Sequence, residues 1–172
     1  MKKVIDSQRP LEQTGRMKEF TFGPTASEYK IVALREVPWT DLLPCDTAEQ
    51  ADKYWRENIV TGANYNSEVE CFCVLFLNTR RKIKGHSLIS TGISDAVFVH
   101  PREVFRLAIV SSASAIILMH NHPSGESNPS EADIKITREL KQAGQLLKIE
   151  VIDHVIVGNP GYTSLRAMGY LY

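Results

Sequence analysis

His120 and His122 stand one residue apart at the end of an apolar run, Ala115-Ile116-Ile117-Leu118-Met119, that is short enough to be a buried strand. Side chains two positions apart on an extended segment project to the same side, so these imidazoles can grip one metal ion together. The loop that follows carries Pro123, Gly125 and Pro129, turns the chain, and delivers Asp133 from the first turn of a helix starting at about Ser130. Two histidines and one aspartate leave a fourth position open on zinc, which is the arrangement of a catalytic site and not of a closed structural one. The same residues admit a plainer reading. Ser130 followed by Asp133 is also a Ser-x-x-Asp helix start, with Ser130 as N-cap and an acid in the first turn. Residue types and spacing leave both readings open.

The elements that must position this stretch can be read from periodicity. Thr47-Ala48-Glu49-Gln50 forms a capping box that opens a helix to about Asn58, with Ala51, Tyr54 and Trp55 on one face. Residues 70–77 read as a strand apolar on both faces, as in the middle of a covered sheet. Alternation puts Glu70 on one face with Phe72, Val74 and Phe76. An acid at the end of such a row is either a strand-end residue reaching solvent or a functional carboxylate, and the residues alone favour the former. Cys71 and Cys73 share the other face with Leu75 and Leu77 and read as small core residues.

A charged turn at 78–82 leads into a second strand at about 83–90. Its basic residues Arg80, Arg81, Lys82 and Lys84 are usually a solvated hairpin, and are also the densest candidate for phosphate contact. A further strand near 96–99 precedes a helix with Pro101 at its first position and a stripe of Val104, Leu107 and Ala108. His100 and His86 read as a helix-start and a surface residue. After the metal loop, Ile136, Leu140, Ala143 and Leu147 follow helical spacing. Residues 149–157 form another strand apolar on both faces, on which Asp153 and His154 point oppositely. Both read as buried, hydrogen-bonded support, with Asp153 as a candidate outer partner of the metal ligands. Residues 158–161 are a turn, and 165–172 a short helix or irregular tail. Near the N-terminus, residues 29–34 have strand character. Strands alternating with helices define an α/β layer architecture.

At 172 residues, with 43% hydrophobic content, the chain suits one domain with an extension and a real core. Its 20 basic and 20 acidic side chains balance, which counts against a dedicated nucleic-acid binder. No apolar run of membrane-spanning length and no signal-peptide pattern stand out, and the 3 cysteines read as reduced thiols. These features point to a cytoplasmic protein with no membrane association.

His-x-His, seven residues, Ser130, two residues, Asp133 resembles the JAMM motif of JAB/MPN-domain metalloproteins. The longer string His-Asn-His-Pro-Ser-Gly, followed by Pro-Ser-x-x-Asp, is similar to the RadC branch of that superfamily. The resemblance runs from about Thr47 to the C-terminus and includes Asp153-His154-Val155-Ile156-Val157-Gly158. It implies a mixed β-sheet flanked by helices over residues 46–172, preceded by an extension over 1–45. It further implies a zinc ion on His120, His122 and Asp133, and metal-assisted hydrolysis of a peptide or isopeptide bond in an unidentified protein or peptide. Glu70 then matches the family's general base, which reverses the reading from residues alone, and Ser130 matches the serine that donates to a developing oxyanion. One hydroxyl does not easily cap a helix and serve an oxyanion together.

Two departures bear on function. Asn121 stands between the histidines where isopeptidase branches have Ser or Thr, and the first 40 residues, with only Gly15 and Gly23, lack the glycine-rich hairpins of a helix-hairpin-helix module. The family carries a DNA-repair label that none of these residues establishes. Three functions stay open: a zinc hydrolase, a DNA-associated protein or nuclease gripping phosphate with Arg80, Arg81, Lys82 and Lys84, and a binding module with a non-catalytic zinc site. An iron oxygenase of the two-histidine-one-carboxylate type is disfavoured by the helices.

Overall fold

Strands Cys71–Leu77 (β1), Ile83–Thr91 (β2), Ala115–Asn121 (β3), Glu150–Val157 (β4) and Tyr162–Ser164 (β5) form one sheet in the order β2-β1-β3-β4-β5. This computed structural model describes residues 42–92 and 99–171. The strand expected at 29–34, the one expected near 96–99 except for Val99, and nearly all of the extension over 1–45 lie outside the described residues; Val99 is not in a strand. β1 is antiparallel to β2 and β3, β3 and β4 are parallel, and β5 is antiparallel to β4. A parallel pair needs a long crossover, and the helix Glu131–Leu147 (α3) supplies it.

Both faces of the sheet are covered. On one side Ala51 of the helix Ala48–Tyr54 (α1), with Trp55 and Ile59 of the π-helical turn Trp55–Ile59 that continues it, packs against Cys71, Cys73, Leu75, Leu77 and Met119. On the other, Val104, Phe105 and Ala108 of the helix Pro101–Val110 (α2) and Leu140 of α3 pack against Phe72, Val74, Phe76, Ile116 and Leu118. Burial from two sides is why β1 and β3 are apolar at nearly every position. The expected alternation along β1 is therefore realised. Its cysteines are buried free thiols in the core, as is Cys45, whose thiol burial pushes up to about 12.

The local start signals hold as well. Thr47 caps α1 through a capping box with Gln50, and His100 caps α2, its Nδ1 accepting from the Arg102 amide at 3.2 Å. His86 is exposed and its Nδ1 lies 2.8 Å from the Tyr54 hydroxyl. Three details differ from expectation. The first helix widens into a π-helical turn at Trp55, in which Trp55 and Ile59 are both buried. Leu147 is not on the buried stripe of α3: it is 42% exposed, and the helix's buried face runs through Ile134, Thr137, Leu140 and Gly144. β5 is three residues long, too short for its alternation to register as a strand. No described helix is long and apolar enough to cross a membrane.

Gly144 lets α3 press onto the start of β4. A Cβ at this position would lie 2.5 Å from the Ile149 carbonyl oxygen and 3.1 Å from Val151 Cγ2. Gly144→Ala, normally favourable inside a helix, should here destabilise by about 1–3 kcal/mol through forced backbone movement. Urea denaturation checks this, and an unchanged or raised midpoint would contradict it.

Candidate metal centre

The site forms where β3 ends, beside the start of β1. His120 lies within β3, and His122 just beyond it, its amide donating to the Val157 carbonyl at 3.1 Å. The following loop is braced by the β4–β5 turn. Gly125, at φ 84°, donates to the His122 carbonyl at 3.0 Å and accepts from the Asn159 amide at 2.8 Å. Ser127 Oγ lies 2.9 Å from Thr163 Oγ1. Arg56, in the π-helical turn, donates to the carbonyls of Gly158 at 3.2 Å and Gly161 at 3.1 Å, tying that brace to the first helix.

Asp133 enters from the first turn of α3, where Ser130 is the N-cap. Asp133 Oδ2 accepts from the Ser130 amide at 2.7 Å and from the Ser130 hydroxyl at 2.6 Å, while Ser130 Oγ accepts from the Asp133 amide at 3.2 Å. The two readings of this stretch are thus compatible. The capping box aims the same carboxylate at the histidines: Asp133 Oδ1 is 3.2 Å from His120 Nε2, and Oδ2 is 3.6 Å from His122 Nε2. The hydroxyl proton of Ser130 is committed to this carboxylate.

The three groups fit a metal ion by distance and by donor chemistry. The two ring nitrogens, His120 Nε2 and His122 Nε2, are 3.0 Å apart. With one donor atom taken from each residue, all three lie within 4.8 Å of one another, and the nitrogen–nitrogen edge of 3.0 Å is close to the roughly 3.3–3.4 Å edge of a tetrahedron whose bonds are about 2.0–2.1 Å, the lengths for zinc to imidazole nitrogen or carboxylate oxygen. His122 Nδ1 faces the Glu126 carbonyl at 2.7 Å and must donate to it, which leaves Nε2 for the cluster. Neutral rings then point lone pairs at one another and at a carboxylate. Extra protons or a metal cation relieve that arrangement.

The electrostatics follow. Burial opposes ionisation of Asp133, but hydrogen bonding to His120, His122 and Ser130 overrules it and holds the carboxyl well below the usual carboxylate range. Hydrogen bonding to Asp133 raises the pKa of His122 against partial burial. Among the described residues, His120, His122 and Asp133 are the group able to share one metal.

Glu70 flanks this triangle. Phe72 pairs across to His120 in the β1–β3 register, so Glu70, two residues earlier on the same face, comes beside His122 with Oε1 4.0 Å from Nε2. The His120 side chain is 2% exposed, whereas those of His122, Asp133 and Glu70 are 14–16% exposed, so the site opens on their side. Asn121 explains how Glu70 is held. Its buried amide accepts from the Cys71 N–H at 2.9 Å and donates to the Val69 carbonyl at 3.0 Å, gripping the backbone on either side of Glu70. From sequence, Asn121 registers only as a departure from the isopeptidase pattern.

The expected outer partner is displaced by one residue. Asp153 accepts from Ser164 Oγ at 2.6 Å and from the amides of His154 and Arg166 at 2.7 and 3.0 Å, and lies on the face of β4 turned away from the histidines. Its neighbour His154 meets the site, with Nε2 2.8 Å from His120 Nδ1 and Nδ1 2.6 Å from Thr137 Oγ1. Complete burial pushes the His154 pKa well below the ordinary imidazole value, so the ring is neutral. Alternation along β4 separates the two residues, but which face holds the metal follows only from how β4 pairs with β3.

The basic hairpin is not at the site. It follows the far end of β1, a 7-residue strand spanning roughly 20 Å, whereas Glu70 precedes the near end. Arg81 pairs with Glu150 at 2.7 Å, and Lys84 donates to the Ser111 and Ser112 carbonyls at the end of α2. Arg80 is exposed and Lys82 partly so.

A mixed five-stranded sheet between helical layers, with His-x-His at a strand end and an acid from the next helix, defines the class: a JAB/MPN-type domain with a candidate metal site. The family model for the RadC-like JAB domain matches residues 45–170, and the chain belongs to that family. It is 50% identical over 103 residues to a UPF0758 protein of Symbiobacterium thermophilum, covering 60% of this chain and 44% of that one. It is 51% identical over 112 residues to one of Chlorobium chlorochromatii, covering 65% and 50%. A third, from Thermotoga maritima, is 41% identical over 126 residues, covering 73% and 54%. The chain thus spans about half the length of these relatives.

Replacing Asn121 by Ala leaves the buried Cys71 N–H and the partly buried Val69 carbonyl, on either side of Glu70, without this partner. The expected cost is about 1–3 kcal/mol, chiefly for the buried N–H, read as a lower urea midpoint. A midpoint equal to that of the wild type would show that the clamp contributes nothing.

Proposed function

We propose that this protein is a zinc-dependent hydrolase that cleaves a peptide or isopeptide-like amide bond. The observation that carries the reading is the convergence of two imidazole nitrogens and one carboxylate on a point with one open side, next to a second carboxylate. His120, His122 and Asp133 would hold the metal. A zinc ion held there would supply Lewis acidity, to polarise a carbonyl and to lower the pKa of a bound water to about 7.

The chain's own residues supply the rest. The Glu70 carboxylate stands on the open side, where it can take a proton from the attacking water and return it to the departing amine nitrogen. Asn121 holds the Glu70 backbone, so the base keeps its distance from His122. Ser130 serves this reading by orienting Asp133; a contact to an oxyanion would require its hydroxyl to leave Asp133 Oδ2. A nuclease reading gains no support, because the basic hairpin follows the opposite end of β1 from Glu70.

Elemental analysis of protein purified without added metal, with and without zinc reconstitution, tests the site. Wild type should carry a single zinc ion per chain and His122→Ala little. With metal content established, Glu70→Gln should retain zinc and lose about 100-fold or more in amide hydrolysis, the scale of general-base catalysis. Wild-type protein that takes up no zinc after reconstitution would end this reading, and a fully active Glu70→Gln would remove Glu70 from it.

A further inference from the structure

We infer that Thr137 and His154 are a positioning pair that fixes the tautomer of His120, so that its Nε2 lone pair, and not an N–H, faces the candidate metal centre. The argument is one of proton accounting along a buried chain of hydrogen bonds. Thr137 Oγ1 lies 2.5 Å from the Asp133 backbone carbonyl and 2.6 Å from His154 Nδ1. A carbonyl only accepts, so the single hydroxyl proton goes to it. Thr137 Oγ1 must then accept from His154, whose proton is therefore on Nδ1. Thr137 and His154 have no exposed surface, and the two ring nitrogens of His154 meet a hydroxyl and an imidazole, so the ring carries one proton.

His154 Nε2 thus presents a lone pair to His120 Nδ1 at 2.8 Å, and His120 must donate. The proton of a neutral His120 is spent on that side, and Nε2 is left bare at the cluster. The chain begins at the backbone of Asp133, whose side chain is itself a candidate ligand. One residue therefore supplies a carboxylate directly and, through Thr137 and His154, sets the opposite ligand. A threonine in this place is not interchangeable with a valine of the same shape. Without the hydroxyl, His154 can carry its proton on Nε2 and turn His120 over to the Nε2–H form, which competes with a metal.

The inference rests on the metal reading above, and its test separates the two. Zinc chloride is titrated in competition with a chromophoric chelator into wild type, Thr137→Val and Thr137→Ser, and the ring nitrogens of the wild type are examined by long-range proton–nitrogen spectroscopy before zinc is added. Thr137→Val should bind zinc about 10- to 100-fold more weakly, the usual effect of losing a group that orients a ligand, and Thr137→Ser should restore most of the affinity. His154 of the wild type should be protonated on Nδ1 and bare on Nε2. A folded Thr137→Val that binds zinc as wild type does overturns this inference alone. So does a wild-type His154 protonated on Nε2, whether or not the variant folds. Wild type that binds no zinc overturns the metal reading and this inference with it.

Discussion

Two imidazole nitrogens and a carboxylate converge at His120, His122 and Asp133, the nitrogens 3.0 Å apart, with Asp133 Oδ1 3.2 Å from His120 Nε2 and Oδ2 3.6 Å from His122 Nε2. Such a cluster is unfavourable by itself. Two imidazole lone pairs and a carboxylate repel unless positive charge comes between them, so the surrounding fold has to impose the arrangement. The strand end of β3 aims the two rings, the cap of α3 aims the carboxylate, and the covered sheet beneath keeps both ends from drifting. The parallel pairing of β3 and β4 matters most. It brings the end of β3 beside His154 and requires the crossover whose first turn carries Asp133.

Much of this was legible in the chain because short-range chemistry dictated it. The strand-end histidines, the capping box, the two-faced apolar strands and the alternation of Glu70 with Phe72 depend on neighbours a few residues away. What escaped was set by pairing across the sheet. Asn121 reads as an oddity between two ligands until β1 lies alongside, when its amide finds the backbone on either side of Glu70. Asp153 and His154 are adjacent, and only the register with β3 decides which of them meets His120. The basic hairpin is prominent by composition, yet antiparallel geometry carries it to the end of β1 away from the site. Resemblance to a family located Glu70; residues alone favoured a solvated strand end.

The capping box at Ser130 shows that two explanations of one motif need not compete. A helix N-terminus favours a nearby anion and offers it unpaired amides, so an aspartate in the first turn is stabilised whether or not a metal is present. Folding therefore prepares the ligand before any ion arrives. The same local bonds limit Ser130: a hydroxyl whose proton is held by Asp133 contributes to the site through that carboxylate.

Exposure gives the site its direction. His120 is sealed between Phe72 and His154, its ring 6.1 and 4.8 Å from theirs by centroid, while His122, Asp133 and Glu70 border the open side. A closed structural site would bury its ligands evenly and need no second carboxylate at its rim. Here the buried ligand is the one whose protons are fixed by the interior, through His154 and Thr137. The partly exposed groups are those that would meet water and substrate in the proposed reaction. That asymmetry is what a hydrolytic centre requires: a metal held rigidly from the core and a base reachable from outside. It also separates stability from chemistry along the chain. On the proposed reading, the interior partners of His120 would govern how a metal is held, and Glu70 with its Asn121 clamp would govern what the metal is used for.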